Sequence, residues 1–72
     1  MRIATIGETP KVAGLALAGT LVFAADVPDE LDAAWDELPE DVGILVLTPA
    51  AEARLGGRFD ERPLLLTVVS PE

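Results

Sequence analysis

Residues 42–48 have the sequence Val-Gly-Ile-Leu-Val-Leu-Thr, a run without charged side chains and without the polar alternation of a half-exposed strand. A second run of this kind, Leu-Leu-Leu-Thr-Val-Val, occupies residues 64–69. Strands that are apolar on both faces are typical of a parallel sheet, in which both faces are covered. These runs therefore predict two strands of a parallel sheet, joined by a crossover connection.

Two further strands are predicted nearer the N-terminus, at residues 2–7 and residues 20–24, where β-branched and other apolar residues cluster. Between them Thr9 precedes Pro10, and a threonine followed by a proline is a typical helix start. This helix is expected to extend to about Ala18, where a glycine follows.

Residues 28–38 predict an amphipathic helix, because apolar side chains recur at spacings of three and four and carboxylates fill most positions between them. The apolar set is Leu31, Ala34, Trp35 and Leu38. Trp35 is expected to be buried in the core. A shorter helix is predicted at residues 50–55, where Thr48 and Pro49 repeat the helix start and a Gly-Gly pair follows.

The element order is thus βαβαβαβ, and we expect a single α/β domain over residues 1–72. Right-handed crossovers predict a small open parallel sheet of four strands in the order 2-1-3-4, flavodoxin-like or Rossmann-like, with three helices on both faces. The first helix would lie on one face and the other two on the opposite face. One face of the third and fourth strands would then stay bare. It would expose either Ile44 and Val46 or Leu45 and Leu47, with alternate residues of the last strand.

The chain has 72 residues, of which thirteen are acidic and five basic, and a net charge of −8. An acidic surface repels phosphate backbones and anionic lipid headgroups, so nucleic-acid binding is not expected. Without cysteine or histidine, the chain has no disulfides and lacks the usual ligands of zinc sites. The longest uncharged stretch, residues 12–25, is too short to span a membrane, and no signal peptide is visible. We therefore expect a cytoplasmic protein without direct membrane insertion.

Ligands of open α/β sheets bind beyond the carboxyl ends of the strands. The glycine-rich sequences of dinucleotide and P-loop sites are absent there, and Gly7 is followed by Glu8, which would repel a phosphate. Glu8 and Asp26 have no third carboxylate beside them and are expected to be solvated loop residues. The carboxylates of residues 29–41 follow helical spacing, which favours a solvated helix face over a calcium loop. We expect no catalytic, cofactor-binding or metal-binding residues and no enzymatic activity.

The first predicted helix, in contrast, has no polar stripe over residues 12–18. A helix that is apolar all round is usually buried, and in a domain this small a partner molecule would have to cover it. Alternatively, the helix is simply rich in alanine, which tolerates exposure. The predicted partner-binding residues are Ala13, Ala16, Leu17, Ile44 and Val46.

Four stretches of the sequence together resemble one known family. They are Met-Arg-Ile-Ala-Thr-Ile-Gly-Glu at residues 1–8, Gly-Leu-Ala-Leu-Ala-Gly at residues 14–19, Asp-Val-Gly-Ile-Leu-Val-Leu-Thr at residues 41–48 and Arg-Pro-Leu-Leu-Leu at residues 62–66. Their order and spacing resemble the F subunit of the V/A-type (vacuolar/archaeal-type) rotary ATPases over nearly the whole chain. The family commonly has an arginine where this chain has Ala16, and it continues into a C-terminal helical segment that this sequence lacks.

This resemblance implies a non-catalytic subunit of the central stalk, or rotor. The domain would bind the coiled-coil stalk subunit and support the coupling of ATP hydrolysis or synthesis to ion or proton transport. It would be cytoplasmic and peripheral to the membrane through the ATPase complex, with self-association as a further possibility. The alternative is a small flavodoxin-like ligand-binding or regulatory domain, whose pocket would use the loops at residues 7–9 and residues 48–49.

Overall fold

A four-stranded parallel sheet in the order β2-β1-β3-β4 forms the centre of the computed structural model, which describes residues 2–12 and 20–70. The strands are β1 (Arg2–Gly7), β2 (Thr20–Ala24), β3 (Val42–Leu47) and β4 (Leu66–Val69). All three strand pairs are parallel. The predicted α/β class, the parallel sheet and its strand order are thereby confirmed.

Two of the three predicted helices are found at their expected places, as α2 (Pro28–Glu37) and α3 (Pro49–Leu55). The third is found only as one turn, α1 (Thr9–Val12), and the rest of that predicted helix lies outside the described residues. Thr9 does not precede this turn as a cap but is its first residue. The cap predicted at Thr48 is confirmed, because its hydroxyl accepts a hydrogen bond from the N–H of Ala51 at 3.4 Å.

Two boundaries differ from the sequence-based prediction. The glycine pair does not end the helical path, since Gly56 has right-handed angles (φ −56°, ψ −33°) and the chain continues as a 3₁₀ helix over Gly56–Glu61. β4 begins at Leu66, two residues later than predicted, because the N–H of Leu65 donates to the C=O of Arg62 and closes a turn there.

The hydrophobic core lies between one face of the sheet and the pair α2 and α3. The strands contribute Ala4, Ile6, Val42, Leu45 and Leu47, and the helices contribute Leu31, Ala34, Trp35, Ala51 and Leu55. α2 contacts α3 and β1, while α3 contacts β1 and β3. The two helices therefore cover the same face of the sheet, as right-handed crossovers require for this strand order.

Trp35 packs against the 3₁₀ helix and connects it to this core. Its ring is buried and stacks on Phe59, with centroids 5.8 Å apart and an interplanar angle of 28°. Its indole N–H donates to Glu61 Oε1 at 3.0 Å. The guanidinium groups of Arg58 and Arg62 lie 5.8 and 5.7 Å from the ring centroid, within cation–π range. The prediction that Trp35 is buried in the core is confirmed.

Arg62 also closes the end of α2. Its guanidinium donates to the backbone C=O of Leu38 at 2.6 Å and of Pro39 at 3.1 Å. The last carbonyls of a helix lack partners within the helix, and a cation at that end is favoured by the helix dipole. The segment before β4 therefore stabilises α2 at two points, the indole ring and the helix terminus.

We expect Trp35→Ala to lower the free energy of unfolding by about 3–5 kcal/mol, the usual cost of truncating a buried tryptophan. Trp35→Phe should cost less, because it keeps a ring beside Phe59 and loses mainly the hydrogen bond to Glu61. Urea unfolding followed by far-UV circular dichroism measures both, since the variants lack the chain's single tryptophan. Equal costs for the two variants would contradict this packing.

The hydrogen bonds from Arg58 and then Trp35 lower the pKa of the Glu61 carboxyl below its usual range. A carboxylate with a depressed pKa in the folded state contributes stability above its unfolded pKa, about 4.3, and that contribution disappears as pH falls further. We therefore expect the stability difference between wild type and Glu61→Gln to be constant near neutral pH and to shrink below about pH 4.3. Urea unfolding across that range tests it, and a pH-independent difference would contradict the ionic contribution of Glu61.

Candidate binding surfaces

Two places on this fold are candidates for function, and the first is the carboxyl edge of the sheet. Thr48 Oγ1 donates a hydrogen bond to Glu8 Oε1 there. Thr9 donates twice to the Asp26 carboxylate, through its N–H at 2.9 Å and its hydroxyl. Glu8 and Asp26 lie in loops, as expected, and Asp26 is exposed while Glu8 is half-buried. Each carboxylate accepts a hydrogen bond from a threonine that is distant in sequence.

Asp26 links the end of β2 to α2. The hydrogen bonds from Thr9 lower the pKa of the Asp26 carboxyl, which stays ionised at neutral pH. The N–H of Asp26 in turn donates to Glu30 Oε1 at 2.8 Å. These carboxylates therefore hold the loops of the edge in place, and none of the described residues forms a group of three that could hold a metal ion.

In a sheet of this strand order, a ligand crevice is expected between the carboxyl ends of β1 and β3. Here the side chain of Thr48 fills that position. Gly7 packs so closely on Thr48 that an added Cβ would lie 2.8 Å from Thr48 Oγ1 and closer still to Cγ2. A cavity of about 380 Å³ remains beside it, between the first turns of α2 and α3. Its lining includes Glu8, Asp26 and Arg54, and Arg54 is paired with Asp32 at 2.8 Å.

We expect Gly7→Ala to destabilise the fold by about 1–3 kcal/mol, the usual cost of overpacking, because the new methyl group meets Thr48. Gly57→Ala is the matched control, since a Cβ there meets nothing within 4 Å and should leave stability unchanged or slightly raised. Thermal unfolding of both variants measures the difference. An undiminished stability of Gly7→Ala would show that the β1–Thr48 contact is loose.

The second candidate is the sheet face opposite α2 and α3, here called the bare face because neither of these two helices covers it. Thr5, which pairs with Val22 and Val46 on this face, is nevertheless buried. The strand registers place six large apolar side chains on the bare face: Ile3, Val22, Ile44, Val46, Leu66 and Val68. Leu66 is 58% exposed and Val68 is 43% exposed, while Ile44 and Val46 are half-buried. Leu45 and Leu47 point into the core and are fully buried. Of the two sets predicted for this face, the structure thus selects Ile44 and Val46.

Charge is distributed unequally over the two sides of the sheet. The registers place no charged side chain of the described residues among the bare-face positions of the four strands. The helical side carries α2, whose carboxylates are Asp29, Glu30, Asp32, Asp36 and Glu37. The helical side is therefore strongly acidic, whereas the strand positions of the bare face are neutral and mostly apolar.

The predicted partner-binding residues fall into two groups. Ile44 and Val46 lie next to each other in the middle of the bare face. Ala13, Ala16 and Leu17 lie outside the described residues. Sequence reasoning missed Ile3 and Val22 as members of this face. The strand register places them there, because Ile3 pairs with Ile44, and Val22 pairs with Thr5, which in turn pairs with Val46.

The described helices include none that is long and apolar enough to cross a membrane. The chain matches no protein-family model, no curated protein and no solved structure. Its function must therefore be inferred from the two surfaces themselves and from the resemblance in the quoted stretches of sequence.

Proposed function

We propose that this chain is a non-catalytic binding module whose bare face packs against an α-helix of a partner protein. The observation that carries this proposal is the set of neutral, apolar strand side chains on the bare face of a molecule with net charge −8. Contiguous apolar patches of several hundred Å² on small proteins usually mark an interface. The acidic side, by contrast, has the composition of a solvated helix surface.

A helix fits the dimensions of the bare face. Neighbouring strands lie about 4.8 Å apart, and a helix with its side chains is about 10–12 Å wide. One helix therefore covers β3 and β4 together, with its apolar side chains between the rows Ile44–Leu66 and Val46–Val68. Helices cover sheet faces in this way within α/β proteins, and a partner helix would complete the missing layer.

Within this class, we assign the chain to the role of the F subunit in a V/A-type rotary ATPase. The resemblance of the four sequence stretches supports this role, and so do the carboxylates at the edge of the sheet, which accept hydrogen bonds from threonines of neighbouring segments. The partner would be the coiled-coil subunit of the central stalk, which offers helices of the required kind. The module would rotate with the stalk while ATP chemistry and ion or proton transport occur in other subunits. It would be cytoplasmic and peripheral to the membrane through that complex.

The cavity at the carboxyl edge favours a second candidate, a flavodoxin-like ligand-binding or regulatory domain. Its volume of about 380 Å³ is within the range of small-molecule sites. Against this candidate, its cation Arg54 is already engaged by Asp32, and Glu8 and Asp26 would repel a phosphate. Equilibrium dialysis against nucleotides and flavins separates the two proposals, because the stalk role predicts no saturable binding.

For the stalk role, we expect Val46→Lys to weaken binding to a V/A-type coiled-coil stalk subunit by about 10–100-fold. The substitution removes a buried apolar contact worth about 1.5–3 kcal/mol and places a charge in the interface. Val27→Lys is the matched control, because Val27 is an exposed valine at the start of α2, away from the bare face. Isothermal titration calorimetry measures both affinities after circular dichroism confirms that each variant is folded.

Equal affinities for the two variants would rule out the bare face as the stalk-binding surface. Saturable binding of a nucleotide or flavin, without binding to the stalk subunit, would favour the ligand-binding candidate instead.

A further inference from the structure

The two edge strands of the sheet, β2 and β4, differ in charge. Glu30 and Glu37 of α2 line one groove together with residues 22–24 of β2. If a second acidic molecule approached the β2 edge with one of its strands, that strand would meet the carboxylates of Glu30 and Glu37. By contrast, residues 63–70 contain no charged side chain. Charged residues are the usual protection of an edge strand against pairing, and β4 lacks them.

The outer edge of β4 offers backbone groups for pairing. Ser70 donates its N–H to the C=O of Leu47, and the register pairs Val69 with Leu47. Alternate residues of a parallel strand face the same neighbour, so the N–H and C=O groups of Thr67 and Val69 point away from β3. In the described part of the chain, no other strand lies on that side.

β4 is also uncovered on both of its faces. Leu66 and Val68 are exposed on the bare face, and Val69 is 44% exposed on the opposite face, beyond the cover of α3. Leu64, just before the strand, is 96% exposed. An apolar strand that is exposed on two faces and one edge has the properties of an unfinished sheet.

We propose that β4 pairs antiparallel with β4 of a second copy of this chain, about a two-fold axis, to form a continuous eight-stranded sheet. In this register Thr67 of each copy lies opposite Val69 of the other, and the two pairs exchange four backbone hydrogen bonds. A register shifted toward the N-terminal end of β4 would require the N–H of Leu65, which already donates to the C=O of Arg62. A register shifted toward the C-terminal end of β4 would require an N–H from Pro71, and proline has none.

A second copy suits this edge better than an unrelated strand because its charges are placed to avoid repulsion. α2 lies over the β1 and β2 side of the sheet, so the acidic helices of a pair would lie at opposite ends of the joined sheet. The two bare faces would lie on the same side. The two Val68 side chains would meet at the axis as a non-hydrogen-bonded pair, with Cα atoms about 4.5 Å apart. This inference depends on the fold and not on the proposed stalk role.

The first test uses proline at the two edges. Val69→Pro removes an outward N–H from β4, and Val22→Pro removes an outward N–H from β2, with similar exposure of the two valines at 44% and 38%. We expect sedimentation equilibrium to show a reversible dimer for wild type and for Val22→Pro. Val69→Pro should weaken dimerisation by about tenfold or more, because each dimer loses two backbone hydrogen bonds. A strictly monomeric wild type, or equal dimerisation by both variants, would overturn the proposal.

The second test uses the two-fold axis and does not depend on how well proline is tolerated. Val68→Glu and Val68→Lys should each be monomeric, because each places two like charges in direct opposition. An equimolar mixture should form a heterodimer, since the lysine of one copy then lies opposite the glutamate of the other. Wild-type dimerisation should also strengthen with added salt, which screens the net charge of −8 on each copy. A mixture that stays monomeric would exclude an axis at Val68.

Discussion

The one-sided packing of α2 and α3 against β1 and β3 is the constraint from which the other features of this molecule follow. Right-handed crossovers in the order β2-β1-β3-β4 place both helices on one face, and the main core cluster of the described residues lies there. The carboxylates of α2 are thereby placed on that side. The apolar residues on the other face of β3 and β4 receive no cover from either helix.

The core strands and their order are predictable because they depend on local composition and on the handedness of the chain. The run from Val42 to Leu47 is apolar throughout, and such a run is typical of a strand in a parallel sheet. The 3₁₀ helix at Gly56–Glu61 was not predictable in this way. It begins at the glycine pair itself, where the sequence predicts a helix end, and a contact between Trp35 and Glu61, 26 residues apart, holds it in place.

The carboxyl edge of the sheet likewise has some features that the sequence predicts and others that it does not. That Glu8, Asp26 and Thr48 lie near the strand ends follows from the element order alone. Which hydroxyl meets which carboxylate does not, because the Thr9–Asp26 and Thr48–Glu8 pairs span 17 and 40 residues. The bare face was predictable in part. Alternate residues of β3 face opposite sides of the sheet, so the sequence allowed either Ile44 and Val46 or Leu45 and Leu47 on this face. The choice between them required knowing that Leu45 and Leu47 face the helices.

The position of β1 in the sheet also has a consequence for synthesis on the ribosome. β1 is made before the other three strands, yet it lies in the interior of the sheet and pairs with β3 through contacts such as Ile6 with Leu47. β3 is therefore unavailable to β1 until residues 42–47 have left the exit tunnel. Pairing between such distant segments is slow compared with helix formation. The nascent chain must accordingly keep an apolar strand in solution while the acidic α2 is made, and the charge of that helix helps to keep the growing polypeptide from associating with its neighbours.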